Sequence, residues 1–211
     1  MIKELNFDRY FNFNRAIASK ITPFLVSTPL RPNHITSLAL ILGVVAAFFM
    51  SQATRFSMLA GAFFLQVHFI LDDCDGSVAR LKSMQSTFGM WYDFVADVIV
   101  DFFIWVGLAL GAVAQGVGNG IFIFCAIACL GSGINFIRVT TERVCQPAKD
   151  SAVRTKNPLF SVLDVLSQDG DPSLLIWILA IIGSPSLFLI LGAVYINVIW
   201  IFPLVVHSRN L

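Results

Sequence analysis

Apolar residues come in blocks of membrane length, separated by short polar or proline-bearing breaks. Ile35 to Ala53 is 19 residues without a charge, enough to cross about 30 Å of hydrocarbon at about 1.5 Å per residue. Phe56 to Leu71 opens a second block, Phe88 to about Ala114 a third, and Gly120 to about Ile137 a fourth. From Ser173 to Val206 the chain is uncharged for 34 residues. That is too long for one crossing, and Gly183-Ser184-Pro185-Ser186 supplies the place to turn. The pattern predicts six spans within 35–206, the fifth of them short. Ahead of these, residues 6–27 put Tyr10, Phe13, Ile17, Ile21 and Phe24 on one helical face and Arg9, Asn12, Arg15 and Lys20 on the others. This is the pattern of an amphipathic helix lying in a membrane interface, although the same stripe suits a helix packed on the domain's core. Thr28-Pro29-Leu30-Arg31-Pro32 ends that helix, because neither proline donates to the ladder and each drives its predecessor out of the α region.

Composition agrees with the blocks: 57% of residues are hydrophobic and 13% charged, against roughly 25% charged in a soluble domain. The expectation is an all-α, polytopic membrane protein forming one membrane-embedded domain over 1–211. The first residues, with Lys3, Glu4 and Asp8, lack the pattern of a secretory signal, so the first span is expected to remain. Basic residues gather ahead of span one, between spans two and three (Arg80, Lys82), after span four (Arg138, Arg143, Lys149, Arg154, Lys156) and after span six, with Arg55 alone on the other side. By the positive-inside rule both termini face the cytoplasm, and 138–171 is a cytoplasmic loop. A net charge of +1 argues against nucleic acid as a partner. Cys74, Cys125, Cys129 and Cys145 show no zinc spacing and are assigned no role.

Against this apolar background the run from Asp72 to Asp97 stands out. Carboxylates at membrane depth are costly unless they face a cavity, a partner or a metal. Residues three and four apart share a helix face, so Asp72, Asp75 and Ala79 form one stripe and Gly89, Asp93 and Asp97 another. A short connection between antiparallel helices lets the stripes face each other. Four like charges so close cannot all persist alone, and divalent cations resolve the conflict. An all-carboxylate donor set selects hard ions, Mg²⁺ first with Mn²⁺ or Ca²⁺ as alternatives, and four aspartates suit two ions. Gly76 and Gly89 leave backbone open to a phosphate, and Arg80 offers a planar donor fork. The combination describes a metal-diphosphate site suited to in-line displacement at phosphorus, with Asp97, the deepest of the four, as candidate base.

The string Asp72-x-x-Asp75-Gly76-x-x-Ala79-Arg80, then eight residues, then Gly89-x-x-x-Asp93-x-x-x-Asp97 matches without gaps the signature of the CDP-alcohol phosphotransferases, the CDP-alcohol phosphatidyltransferase family. The resemblance implies a six-helix membrane enzyme, usually a homodimer, that transfers the phospho-alcohol part of a CDP-alcohol to a hydroxyl acceptor and releases CMP. It implies that Asp72, Asp75 and Asp93 bind metal, that Asp97 is the base and touches the second ion, and that Gly76, Ala79 and Arg80 line the CDP pocket. Pro32-Asn33-x-Ile35-Thr36 is similar to a weaker family pattern, making Asn33 and Thr36 nucleotide-side candidates. The wording Leu71 to Lys82 looks closer to the di-inositol phosphate phosphate synthases than to phosphatidylglycerophosphate synthases, and the expected location is a prokaryotic cell membrane.

Other polar residues carry competing readings. Asp101 continues the i, i+4 series, either supporting the cluster or as a salt-bridged helix residue, and it stays outside the candidate set with Asp73. His68 suits a hydrogen-bonded packing role better than a ligand, and Asn33 serves equally as a helix cap. Arg138 and Arg143 are the acceptor-side candidates, for an acceptor that is itself phosphorylated. A membrane transporter with an acidic cation site is the rival class, but the chain has no internal repeat and its acids cluster toward one end. A scaffold with a structural metal would not need Asp97 and Arg80 together.

Overall fold

The computed structural model describes residues 13–145 and 173–208, of which 139, 140, 142–145 and 202–208 by backbone alone. Among these residues every regular element is a helix: α1 (Phe13–Ser27), α2 (Pro32–Ser51), α3 (Arg55–Leu81), α4 (Thr87–Ala114), α5 (Ile121–Cys145), α6 (Ser173–Ile182) and α7 (Pro185–Ser208). Residues 6–12 of the predicted amphipathic helix and 146–171 of the predicted loop lie outside the described residues.

The breaks fall where local chemistry sets them. Pro32 and Pro185 occupy first helical positions, where a missing N–H costs nothing. Thr54 and Ser57 cap α3 reciprocally: the Thr54 hydroxyl accepts the Ser57 N–H at 3.1 Å, and the Ser57 hydroxyl accepts the Thr54 N–H at 3.0 Å. The Ser86 hydroxyl caps α4 by accepting the Gly89 N–H at 2.9 Å. Helix α3 runs unbroken through the acidic stretch and ends with Ser83 in the left-handed region (φ 54°), where the Met84 N–H closes back on the Ala79 carbonyl at 2.9 Å.

The centre of the fold is α2, which packs along both α3 and α4 while those two barely touch each other. Lipid is as apolar as a leucine, so helices associate in it through close van der Waals contact, which small residues permit. A Cβ on Gly107 would lie 2.5 Å from the Ala47 carbonyl oxygen, and one on Gly61 would lie 3.0 Å from that of Ala46. Around these contacts Ala46, Ala47, Met50, Met58, Ala62 and Leu108 are buried. The far ends of the helices are tied by Gln115, whose amide donates to the Ala53 carbonyl at 2.8 Å and the Gly183 carbonyl at 3.1 Å.

Helix α1 lies on α3, with Ile17 and Ile21 of the apolar stripe half-buried against Ile70, Cys74 and Val78. Its buried residues are Asn14, Ala18 and Thr22, whereas Phe13 and Phe24 from the ends of the stripe are exposed. The reason is a polar relay. Asn14 donates to the Ser173 hydroxyl at 3.1 Å and accepts from the Gln66 amide, and Gln66 in turn accepts the Trp177 indole N–H at 3.1 Å. Buried amides find their partners across α1, α3 and α6, so the face that carries Asn14 turns inward.

Four helical stretches are long and apolar enough to cross a membrane: Pro32–Ser51, Arg55–Leu81, Thr87–Ala114 and Ile121–Arg138. The remaining apolar helical stretches, Ser173–Ile182 and Pro185–Ile201, are shorter among the described residues. The chain is an integral membrane protein.

Candidate active site

The carboxylates gather where the C-terminal third of α3 and the N-terminal half of α4 face each other over the start of α2. One oxygen from each of Asp72, Asp75 and Asp93 lies within 4.8 Å of the others, the spacing that a single cation bridges. Asp75 is buried, and the Thr36 hydroxyl on α2 donates to its carboxylate. Thr36, expected on the nucleotide side, thus has its hydroxyl turned to an aspartate. Asp97 sits one turn further along α4, close enough to act electrostatically on Asp72 together with Asp93 and Asp75. All four predicted aspartates therefore belong to one electrostatic cluster. They meet because α2 wedges α3 and α4 apart; the two helices do not pack directly on each other.

The donor set fits a hard divalent cation. Every ligand atom in the cluster is a carboxylate oxygen, and neighbouring Cys74 is fully buried, with its thiol 3.8 Å from the Ala18 carbonyl on α1. His68 is spoken for as well: Nδ1 donates to the Ala39 carbonyl at 3.1 Å, the packing role anticipated for it.

Around the carboxylates the remaining candidates divide. Arg80 is exposed and folds back along its own helix, donating to the Ser77 hydroxyl at 3.0 Å, with Nη1 3.6 Å from the point a Cβ on Gly76 would occupy. The guanidinium therefore lies over bare backbone beside Asp75. Ala79 is half-buried one turn beyond. Gly89 sits opposite Asn33, whose amide oxygen is 3.4 Å from where a Cβ on Gly89 would be. Arg31 holds the N-cap position of α2 without a side-chain cap bond, and Asn33 lies inside the first turn. Arg138 is half-buried on α5 and donates to the Asn135 amide oxygen at 3.2 Å, while the side chain of Arg143 lies outside the described residues.

Several contacts had no signal in the sequence. The Ser37 hydroxyl and the Tyr92 phenol share a hydrogen bond of 2.8 Å, tying α2 to α4 next to Asp93. Arg15 on α1 pairs with Asp73 at 3.6 Å, which engages Asp73 with α1. Asp101 is hydrogen-bonded to Ser132 on α5, which also accepts the Trp105 indole N–H at 3.0 Å. Spacing along one helix gives a face but not the partner helix, which is why these pairs were invisible.

Over 99 residues, 47% of this chain, the sequence is 37% identical to the bifunctional IPC transferase and DIPP synthase of Aquifex aeolicus, and the match spans 22% of that relative. Over 103 residues, 46% of this chain, it is 31% identical to the CDP-diacylglycerol–serine O-phosphatidyltransferase of Helicobacter pylori strain 26695, spanning 42% of it. The chain thus matches less than half the length of either relative. The fold resembles crystal structures of the phosphatidylinositol phosphate synthase of Mycobacterium tuberculosis. The apo form aligns with a TM-score of 0.51 and 20% identity over 84% of this chain and 94% of that one. The form with CDP-DAG bound gives 0.50 and 17% over 87% and 93%. Residues 30–202, from the linker ahead of α2 into α7, match the sequence model of the CDP-alcohol phosphatidyltransferases, and this chain belongs to that family.

Proposed function

We propose that this protein transfers the phospho-alcohol group of a CDP-alcohol to a hydroxyl acceptor, releasing CMP, in the synthesis of a phospholipid or a polar phosphodiester. The observation that carries this reading is the convergence of Asp72, Asp75 and Asp93 in one carboxylate cluster, with Asp97 one turn away. The names of the Aquifex relative and of the Mycobacterium structures make an inositol-phosphate compound the favoured partner substrate.

In this reading Asp72, Asp75 and Asp93 hold Mg²⁺ or Mn²⁺, with Asp97 sharing a second ion. Such ions, when bound, neutralise the diphosphate and stabilise charge on the attacking and leaving oxygens. The chain's own groups do the rest. Arg80 and the bare backbone at Gly76 and Gly89 receive phosphate oxygens; Ala79 and Asn33 line the nucleotide side; Thr36 orients Asp75. Asp97 accepts the proton of the acceptor hydroxyl while the acceptor oxygen bonds to the β-phosphorus, and the bond from that phosphorus to the bridging oxygen breaks, so the electron pair leaves with CMP. Arg138 and Arg143 bind a phosphorylated acceptor.

The finer architecture belongs to the same reading. α6 and α7 complete six spans after the four long ones, α1 lies at the interface with Phe13 and Phe24 toward lipid, and 1–211 acts as one domain. The carboxylate end and both termini face the cytoplasm of a prokaryotic cell, and the enzyme works as a homodimer.

The test is to incubate purified protein with Mg²⁺ and a panel of CDP-alcohols and acceptors, including inositol phosphates, and to follow CMP by chromatography. Metal-dependent CMP release from at least one pair is expected. Asp97→Asn is expected to abolish it while binding of the CDP-alcohol largely survives. Absence of CMP across the panel sinks the reading and favours the transporter alternative, and equal loss of binding and turnover in Asp97→Asn removes its role as base.

A further inference from the structure

Lys82 stands outside the eight signature positions, and the distribution of basic residues accounts for it mostly as a topology signal. Its side chain has a more specific arrangement. It is half-buried at the C-cap of α3, and its Nζ donates to the Thr28 carbonyl at 2.7 Å and to the Leu30 carbonyl at 2.7 Å. A lysine at a helix end would ordinarily extend into water and keep its rotamer freedom. Here it gives up that freedom to bind two carbonyls of the linker that delivers α2.

The linker matters because it leads directly into the site. Three residues past Leu30 is Asn33, beside Gly89 of α4, and six past it is Thr36, bonded to Asp75. Asp75 and Lys82 are two turns apart on α3, about 10 Å along the axis. The start of α2 is therefore tied to α3 at two points: through Thr36 at the carboxylates and through Lys82 above them. Asn33 and the mouth of the cluster lie between the ties. Helices α3 and α4 barely touch, so this segment of α2 is the shared wall that sets their spacing. The end of α3 is itself fixed by the left-handed turn at Ser83, which holds the direction in which Lys82 departs.

We infer that Lys82 is a positioning residue: its ammonium clamps the Thr28–Leu30 linker and so holds Asn33 and Thr36 in register with the carboxylate cluster and the bound CDP-alcohol. The kinetic half of this inference rests on the phosphotransfer reading above; the structural half does not.

The experiment compares the parent protein with Lys82→Met and Lys82→Arg in detergent or nanodiscs. Amide hydrogen exchange is measured without ligand, followed by steady-state kinetics with Mg²⁺ and an accepted CDP-alcohol. In Lys82→Met, exchange across 28–37 should quicken and the KM for the CDP-alcohol should rise about tenfold, with kcat and the acceptor KM changing less than threefold, as expected for a lost charge-assisted clamp. Lys82→Arg, whose fork also reaches two carbonyls, should restore both readouts. Unchanged exchange over 28–37 in Lys82→Met overturns the clamp, including the case where Lys82 instead touches substrate directly. Quickened exchange with an unchanged donor KM overturns its link to the site. If Lys82→Met does not fold, Lys82→Gln, which keeps one amide donor, must show the same two changes at smaller size, and their absence is equally decisive. If the parent turns over no CDP-alcohol, the exchange arm still decides the clamp, and the failure belongs to the reaction assigned above.

Discussion

Helices α2, α3 and α4 meet twice, and they do so by opposite means. Toward the Ser51 end of α2, Gly61 and Gly107 let backbones approach closely, with Ala46, Ala47 and Met50 filling the seam. At the carboxylate end the same helices are held by single polar ties, Thr36 to Asp75, Ser37 to Tyr92 and Lys82 to the linker, and α3 and α4 stand apart. The difference arises from the task of each region. Lipid offers no hydrophobic drive to association, so the glycine seam coheres only through close contact. The carboxylates repel one another, so their end needs contacts that hold helices at a distance without closing the gap.

The comparison can be broken most sharply at the cluster. Asp75→Ala is expected to cut CMP release by about 10³-fold or more, the scale of losing charge stabilisation worth several kcal/mol. EDTA should silence the parent protein and added Mg²⁺ should restore it. Retained turnover in Asp75→Ala, or indifference to EDTA, would separate the cluster from the reaction. In the glycine seam, Gly107→Val should lower unfolding free energy in detergent by about 1–3 kcal/mol, because its side chain meets backbone rather than a movable rotamer. An unchanged denaturation midpoint would show that the seam is looser than described. Thr36→Val keeps the shape and removes the hydroxyl. It should raise the Mg²⁺ concentration for half-maximal activity about tenfold, as lost hydrogen bonds to metal ligands do, and leave the midpoint alone. If the midpoint shifts instead, Thr36 belongs to the packing side of the comparison. The smallest effect is expected at Ser83→Gly, which relieves a left-handed non-glycine residue and should stabilise the fold by about 0.5 kcal/mol. A destabilised Ser83→Gly would contradict the strain assigned there.

The sequence made much of this legible. The Thr28–Pro32 break marked the end of α1 and the start of α2 to within a few residues, because missing donors act locally, and the apolar block from Phe88 to about Ala114 marked α4. The four aspartates were visible because charge inside apolar sequence is costly and their spacing is that of a helix face. What stayed hidden was partnership between helices. Asp72 and Asp93 meet over α2 rather than by direct packing, and nothing along α3 or α4 says so. The weak pattern near Pro32 singled out Thr36, but that its hydroxyl donates to Asp75 on another helix had no mark in the sequence. The apolar stripe of α1 gave no sign of the amide relay that buries Asn14, because the partners Gln66, Ser173 and Trp177 lie on other helices.

That relay has a consequence for biosynthesis. Asn14 leaves the ribosome early, but its hydroxyl acceptor, Ser173, emerges 159 residues later, and the indole that completes Gln66 is 111 residues downstream of it. Helix α1 can lie on α3 as soon as α3 is made, but a nascent chain halted before α6 would leave Asn14 and Gln66 without their Ser173 and Trp177 partners.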